Sequence, residues 1–322
     1  MPARHVVLLG CATALATACS LLAPSESELT GGSGAGDGSA HPSCRGAPLV
    51  CGTDSLSCCD TAYVPRGRVS LAEEGAEMVW EVEVSPFYLD RFEVTVGRFR
   101  QFLAGYTKWR QSGHPREGEG MHQHVHGTGW HESWNAKLPP ESSALEADVN
   151  NCFSIPFSNL HEAAAQTLPI NCVTWFEAFA FCIWDEGRLP TEIEWQYAAT
   201  GGTDERRDYP WGDVPEPSSE RAVYDCPLPC DIPPVGSKRL GMGRWGQLDL
   251  AGSVAEWVFD CGNVYPADCS EDCVNTTPED VRMFRGGSFI DAASALRSTL
   301  RNSAVPEFRN YFNGFRCARA EL

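Results

Sequence analysis

Beyond Cys19 the 322-residue chain has no apolar run long enough to cross a bilayer, so no membrane-spanning helix is expected there. Basic residues are scarce: 25 Lys and Arg stand against 43 Asp and Glu, a formal net charge of -18. Such a surplus repels phosphate backbones, which excludes nucleic acid from the expected partners and favours cations. There is no glycine-rich phosphate loop of Walker type and no Gly-x-Ser-x-Gly elbow. No other nucleophile stands beside an identifiable base, so nucleotide hydrolysis and serine-hydrolase chemistry have no support in the sequence. After Gly202 a long helical period is missing too, and the chain is dense in Gly, Pro, Trp and short apolar runs.

Cysteine is plentiful, and the start of the chain explains why that is tolerable. Met1 to Cys19 carries one early arginine, Arg4, and then the apolar runs Val6 to Leu9 and Ala12 to Ala18, too short for a permanent span. Small residues lead into Leu15-Ala16-Thr17-Ala18-Cys19, as a bacterial lipoprotein signal peptidase requires. The expectation is a signal peptide over 1–18, lipid on Cys19, and an exported protein of the cell envelope anchored to a bacterial membrane by its acyl chain alone. Ordinary secretion after cleavage near Ala18 is the plainer alternative. Cys11 is a poorer lipidation site, because the apolar run before it is too short. Removing Cys11 and committing Cys19 leaves 13 of the 15 cysteines, a number expected to be mostly disulfide-bonded outside a reducing cytosol and, being odd, to leave at least one over.

Residues 19–43, with Gly31-Gly32-Ser33-Gly34, are too polar and small to fold and read as a flexible tether. A cysteine-rich segment over 44–60 follows, with Cys44, Cys51, Cys58 and Cys59 read as a disulfide knot. Zinc is the alternative, although separated C-x-x-C units are missing. One large domain then occupies 61–322. Glu81-Val82-Glu83-Val84 alternates and leads into Pro86-Phe87-Tyr88-Leu89 as extended chain. Thr95 caps a helix whose Val96, Phe99, Phe102 and Leu103 share a face, with Gly105 as its expected stop. Thr174 with Glu177, and Thr191 with Glu194, have the spacing of capping boxes. The fold class is therefore α+β with much irregular backbone.

Seven segments stand in order: Phe87 to Thr95, Pro169-Ile170-Asn171-Cys172-Val173-Thr174-Trp175, Gly187-Arg188-Leu189-Pro190-Thr191-Glu192 on to Trp195, Tyr209-Pro210-Trp211-Gly212, Asp249 to Trp257, Arg285-Gly286-Gly287-Ser288-Phe289, and Gly314-Phe315-Arg316-Cys317. Together they resemble the formylglycine-generating enzyme family, also called the sulfatase-modifying factor family. The resemblance spans about Phe87 to Ala318 and implies a variant of the C-type lectin fold, poor in regular structure. The family contains enzymes that use oxygen to convert a substrate cysteine to formylglycine, and relatives such as hercynine oxygenases whose iron ligands lie on a separate domain. Membership thus bears on fold more than on activity. Formylglycine-generating members hold copper(I) between two cysteines after the Arg-Gly-Gly-Ser motif, as soft thiolates suit copper(I). With Ser288, Arg297 and Arg301 in the family's register, those two positions are Asp291 and Leu296, so copper is not expected at the family site. The family's active-site tryptophan is replaced as well, by Ala255.

What the resemblance preserves is a structural calcium site: carboxylates of Asp249 and Glu256, with the carbonyl oxygens of Gly252 and Val254 between them. Ser253 stands where the family usually has asparagine, and a merely solvated turn is the alternative. The resemblance also implies a disulfide from Cys182 to Cys317, stabilising by about 4 to 5 kcal/mol through loop closure. Cys226 with Cys230, and Cys261, Cys269 and Cys273, are expected to sit in loops as disulfides rather than ligands. Outside the family pattern, His122, His124 and His126 would share one face of an extended segment, with His131 as a fourth candidate ligand for zinc or copper. Two functions follow: a binding or structural surface protein recognising a protein, peptide or glycan, or an oxidoreductase or protein-modifying enzyme using another metal or residue set.

Overall fold

The computed structural model describes residues 41–45, 49–72, 79–152, 163–214, 216–262, 269–276 and 281–321. The expected signal peptide, the lipidation site Cys19 and nearly all of the tether lie outside the described residues. Short strands β1 (Val50–Cys51) and β2 (Leu56–Ser57) pair in the cysteine-rich segment, closed by Cys44–Cys59 and Cys51–Cys58. This is the disulfide knot expected. Next come β3 (Thr61–Val64), the antiparallel hairpin β4 (Gly67–Ala72) and β5 (Val79–Val84), and β6 (Phe87–Asp90). The extended run read from the sequence is thus two strands, broken at Ser85-Pro86, where proline cannot donate to a ladder.

Thr95 caps α1 (Val96–Gln111) by accepting from the Arg98 amide, but the helix runs through Gly105. The reason is tertiary. Gly105 lies against Trp184, whose indole nitrogen is 3.4 Å from where a Cβ would sit, an ordinary contact, so the helix packs on through this position. The buried aromatic face continues past it, with Phe102 against Tyr106 at 5.1 Å and Trp109 at 5.7 Å. The chain turns only after Ser112, at Gly113 with φ +89°. A short helix α2 (Ser142–Asn150) follows, and then α3 (Trp175–Trp184) and α4 (Glu192–Thr200). Both of the last two begin with the capping boxes expected, Thr174 with Glu177 and Thr191 with Glu194.

The remaining strands are β7 (Ala255–Cys261), β8 (Arg282–Arg285), β9 (Asn302–Ala304), β10 (Asn313–Gly314) and β11 (Ala318–Ala320). They form a mixed sheet ordered β10-β7-β8-β9, while β11 joins the antiparallel sheet β11-β6-β3. So the α+β class holds. One core packs α1 against α3 around Phe99, Phe102, Phe181, Trp257 and Phe315. A second lies where α4 meets the β4–β5 hairpin, through Val69, Val82, Trp195 and Val258.

Six disulfides close among the described residues. Cys182–Cys317 is among them, as are Cys152–Cys172, Cys226–Cys230 and Cys269–Cys273. Cys261 departs from expectation: it is buried within β7, outside these bridges, rather than paired in a loop.

Beside it, Asp260 fixes the start of α4, its Oδ2 accepting from the Glu192 amide at 2.6 Å and its Oδ1 from the Asn275 amide at 2.9 Å. Burial, and then the Glu192 carboxylate, push Asp260 from 3.8 up to about 7. A carboxyl raised in the folded state holds its proton where the unfolded chain has lost it, so its contribution is complete below pH 3.8 and lost as pH rises through about 7. Unfolding free energy measured against pH should therefore carry a component that falls between those limits, and Asp260→Asn should flatten it. An unchanged profile in that variant would refute the assignment.

Candidate functional site

The loop after β8 carries Asp291 and Leu296, the positions that the resemblance assigns to the family's copper cysteines. Arg285 holds the loop's base, donating to Gln196 Oε1 and to the Ser298 carbonyl, both at 2.8 Å. Arg301 grips Glu192 through two bonds at 2.7 and 2.6 Å, tying the far end of the loop to α4. Between them Ser288 donates its amide and hydroxyl to Asp291 Oδ2, at 2.9 and 2.7 Å. Asp291 therefore turns back on its own loop. Leu296 is buried at 1% exposure among Tyr209, Ala222 and Ala251, which makes it core. Arg297 is exposed and paired with Asp208 at 2.6 Å.

A disulfide-closed loop lies against the same turn. The Asp225 amide donates to the Asp291 carbonyl at 2.8 Å, the Cys226 amide to the Phe289 carbonyl at 2.9 Å, and Cys226 is bonded to Cys230. The two cysteines of this docked loop are thus already oxidised together. This arrangement can hold a loop in place; it offers no thiolate pair.

Asp249, Gly252, Ser253, Val254 and Glu256 form a second centre at the entry to β7. Gly252 has φ +78°, and a Cβ there would sit 2.3 Å from the Val223 carbonyl oxygen, so only glycine fits. Ser253 is also left-handed at φ +59°, which accounts for asparagine at this place in relatives, since asparagine adopts that conformation more readily than serine. Glu256 is held by Arg316 through Nε to Oε2 and through the second terminal nitrogen to Oε1, both 2.7 Å, and its Oε2 also accepts from the Trp195 indole at 2.8 Å.

The sequence did not point to Glu93. It is fully buried, accepting from the Val254 amide and bonding the Ser253 hydroxyl, each at 3.0 Å. Burial first, then the Asp249 and Glu256 carboxylates, push Glu93 well above the ordinary range, while burial raises Asp249 to about 6. Three buried carboxyl groups share the single guanidinium of Arg316, so negative charge is crowded there and a proton or a cation would relieve it. No three His, Cys, Asp or Glu side chains among the described residues converge tightly enough to hold a metal unaided. An ion here would therefore need the carbonyl oxygens of Gly252 and Val254, with Asp249 and the remaining lone pair of Glu256 Oε1.

The three histidines do not converge as expected, because the segment is a turn and not extended chain; only the rings of His122 and His124 meet, edge to face with centroids 5.8 Å apart. His122 is buried, and its Nδ1 accepts from the His124 amide at 3.2 Å, which leaves Nε2 to donate to Glu194 Oε1 at 3.2 Å. Both of its ring nitrogens are thereby engaged. His124 and His126 are exposed, and His131 caps a short helical turn by accepting from the Ser133 amide. Glu194 is paired with Arg188 at 2.5 Å; burial raises its carboxyl, and Arg188 and then His122 outweigh that to hold it far below the usual range.

These features meet in a known class. Residues 49–321 match the profile of the sulfatase-modifying factor enzyme 1-like domain, and the chain belongs to that family. The hercynine oxygenase of Mycolicibacterium smegmatis is 29% identical over 290 residues, 85% of this chain, which spans 59% of that protein's length. A mouse protein described as inactive C-alpha-formylglycine-generating enzyme 2 is 29% identical over 80% of this chain and 84% of its own. The formylglycine-generating enzyme of Thermomonospora curvata is 26% identical over 78% and 87%. Among solved structures, Treponema denticola variable protein 1 (TM-score 0.54) and PvdO from Pseudomonas aeruginosa (0.52), each 19% identical over 86% of this chain and all of theirs, share the fold.

Proposed function

We propose that this is an exported protein, anchored in a bacterial envelope through lipid on Cys19 alone, whose domain works as a binding or structural surface module for a protein, peptide or glycan. The observation that carries this reading is the closed turn from Ser288 to Asp291 with Leu296 buried behind it, where formylglycine-generating relatives need two thiolates. Similarity to a relative described as inactive agrees with it. Calcium at Asp249, Gly252, Val254 and Glu256 would serve the scaffold, neutralising the buried carboxylates.

The test uses the mature chain with Cys19→Ser as a soluble form. Bound copper, iron, zinc and calcium are measured by mass spectrometry, and oxygen uptake is followed with a cysteine-containing peptide. Calcium alone and no uptake is the expected result. Stoichiometric copper or iron, or turnover, would overturn the binding reading in favour of an oxidoreductase of the same scaffold. Calcium removal by chelation should lower the melting temperature and restoring it should recover it; indifference to both would remove calcium from the account. In cells, labelled fatty acid should enter the wild type and not Cys19→Ser.

A further inference from the structure

Away from both centres, a pocket of about 180 Å³ opens between the 122–128 turn and the loop at Cys269–Cys273, lined by Arg66, Ser85, His124, Val125, Glu271 and Asp272. The loop that supplies its acids is rigidly built. The Cys269–Cys273 disulfide closes it, the Glu83 amide donates to the Ser270 carbonyl, and the Asp272 amide donates to the Glu83 carbonyl, both at 2.9 Å. Asp272 itself takes a left-handed backbone at φ +44°, which few non-glycine residues adopt. Its side chain is only 5% exposed. Oδ1 accepts from the Ser85 amide at 2.8 Å, while Oδ2 has no hydrogen-bond partner among the described residues. Leaving a buried carboxylate oxygen without a donor is costly, so a loop braced to hold it beside a pocket calls for a donor from outside.

The surrounding charge selects the sign of that donor. Arg66 pairs with Glu83 and, at 3.1 Å, with Glu271, so its one positive charge is set against three carboxylates once Asp272 is counted. The pocket is net negative on a chain that is itself strongly acidic. Among the described residues too few metal-binding side chains converge here for a metal ion, and Val125 and His124 line the pocket beside the acids. We propose that this pocket binds the ammonium or guanidinium head of a basic ligand, with Asp272 Oδ2 as its acceptor and the ligand's methylene stem lying along Val125 and His124. The ligand is the side chain of a lysine or arginine in a partner peptide; a free small amine offers the same head group. The site does not depend on the state of the copper position, so it stands or falls apart from the binding reading above.

Nuclear magnetic resonance on the soluble mature chain tests it through the ring signals of His124. The probes are Nα-acetyl-lysine amide, Nα-acetyl-arginine amide, the uncharged norleucine analogue, and a glycine-rich peptide with one central lysine. Saturable shifts with the charged probes and none with norleucine are expected, weakening as salt is raised. Asp272→Asn should raise the half-saturating concentration at least about tenfold while leaving the melting temperature near that of the wild type. Should that variant unfold, Glu271→Gln, an exposed change, provides the second comparison and should weaken binding in the same direction. A peptide that binds about tenfold more tightly than the capped amino acid identifies a protein partner, and equal affinities identify a small free amine. No saturable shift with either charged probe, equal shifts with norleucine, or full-affinity binding by a folded Asp272→Asn would overturn the proposal.

Discussion

Replacing Cys182 and Cys317 together by alanine should lower the melting temperature by about 10 to 15 °C, the larger part of it from the lost cross-link. The bond joins residues 135 apart in sequence, so it removes more freedom from the unfolded chain than any of the other five, whose separations run from 4 to 20. Loop-closure entropy for that length corresponds to about 5 kcal/mol. Its position matters as well: Cys182 is near the end of α3 and Cys317 directly precedes β11, both fully buried, so the bond ties the helical core to the sheet that carries β6. Alanine rather than serine isolates the cross-link, because a serine hydroxyl would be buried in a dry contact. The check is calorimetry of wild type and double variant without reductant, with mass mapping of the wild type. Finding Cys182 bonded elsewhere, or a change below about 2 °C, would remove the bond from the account of stability.

What could be read from the sequence was whatever is decided within a few residues. Thr174 with Glu177, and Thr191 with Glu194, announced their helices because a capping box is completed inside one turn. Gly105 misled for the opposite reason: its stop signal is local, and the packing of Trp184 against it is not. The motif order exposed the family, and its register led to the expectation that Asp291 and Leu296 stand where the copper cysteines would be. It could not show that the Cys226–Cys230 loop would dock there, since that depends on chain brought from elsewhere, whereas the turn of Asp291 back on Ser288 spans three residues and was a local signal passed over. Glu93 was invisible because its partners lie some 160 residues away. The histidines looked like a metal site only while the segment was taken as extended; bonds from the His124 amide to the His122 ring, from the Val125 amide to the His122 carbonyl and through the Thr128 hydroxyl make it a turn.

The second large effect concerns the ion network that fastens the cysteine-rich segment to the domain, and Arg98→Ala should destabilise the protein by about 3 to 5 kcal/mol. Arg98 is fully buried on α1, donating to Asp90 Oδ2 at 2.8 Å, to Asp185 Oδ2 at 2.7 Å and to the Ser43 hydroxyl at 3.0 Å. Arg319 completes the square by pairing with Asp90 and, at 2.7 Å, with Asp185. Two carboxylates and two guanidinium groups cancel. Removing one cation leaves a buried negative charge with too few donors, whereas removing a cation and an anion together does not. Arg98→Met with Asp185→Asn should therefore be markedly more stable than Arg98→Met alone, a coupling that a double-mutant cycle measures directly. The pH dependence has a defined sign. Burial raises Asp90, and Arg319 and Arg98 outweigh it, lowering the carboxyl from 3.8 to about 2. The stability it confers is complete above pH 3.8 and lost as pH falls through about 2, so Arg98→Ala should flatten the acid limb of the unfolding profile. Because Arg98 also donates to the Cys58 carbonyl, the same variant should speed proteolysis or hydrogen exchange around Cys44 to Cys59 ahead of the rest. Uniform loosening of the whole domain, or a cost below about 1 kcal/mol, would mean that the disulfide knot is held by its apolar contacts with Phe92 and Val235 and not by charge.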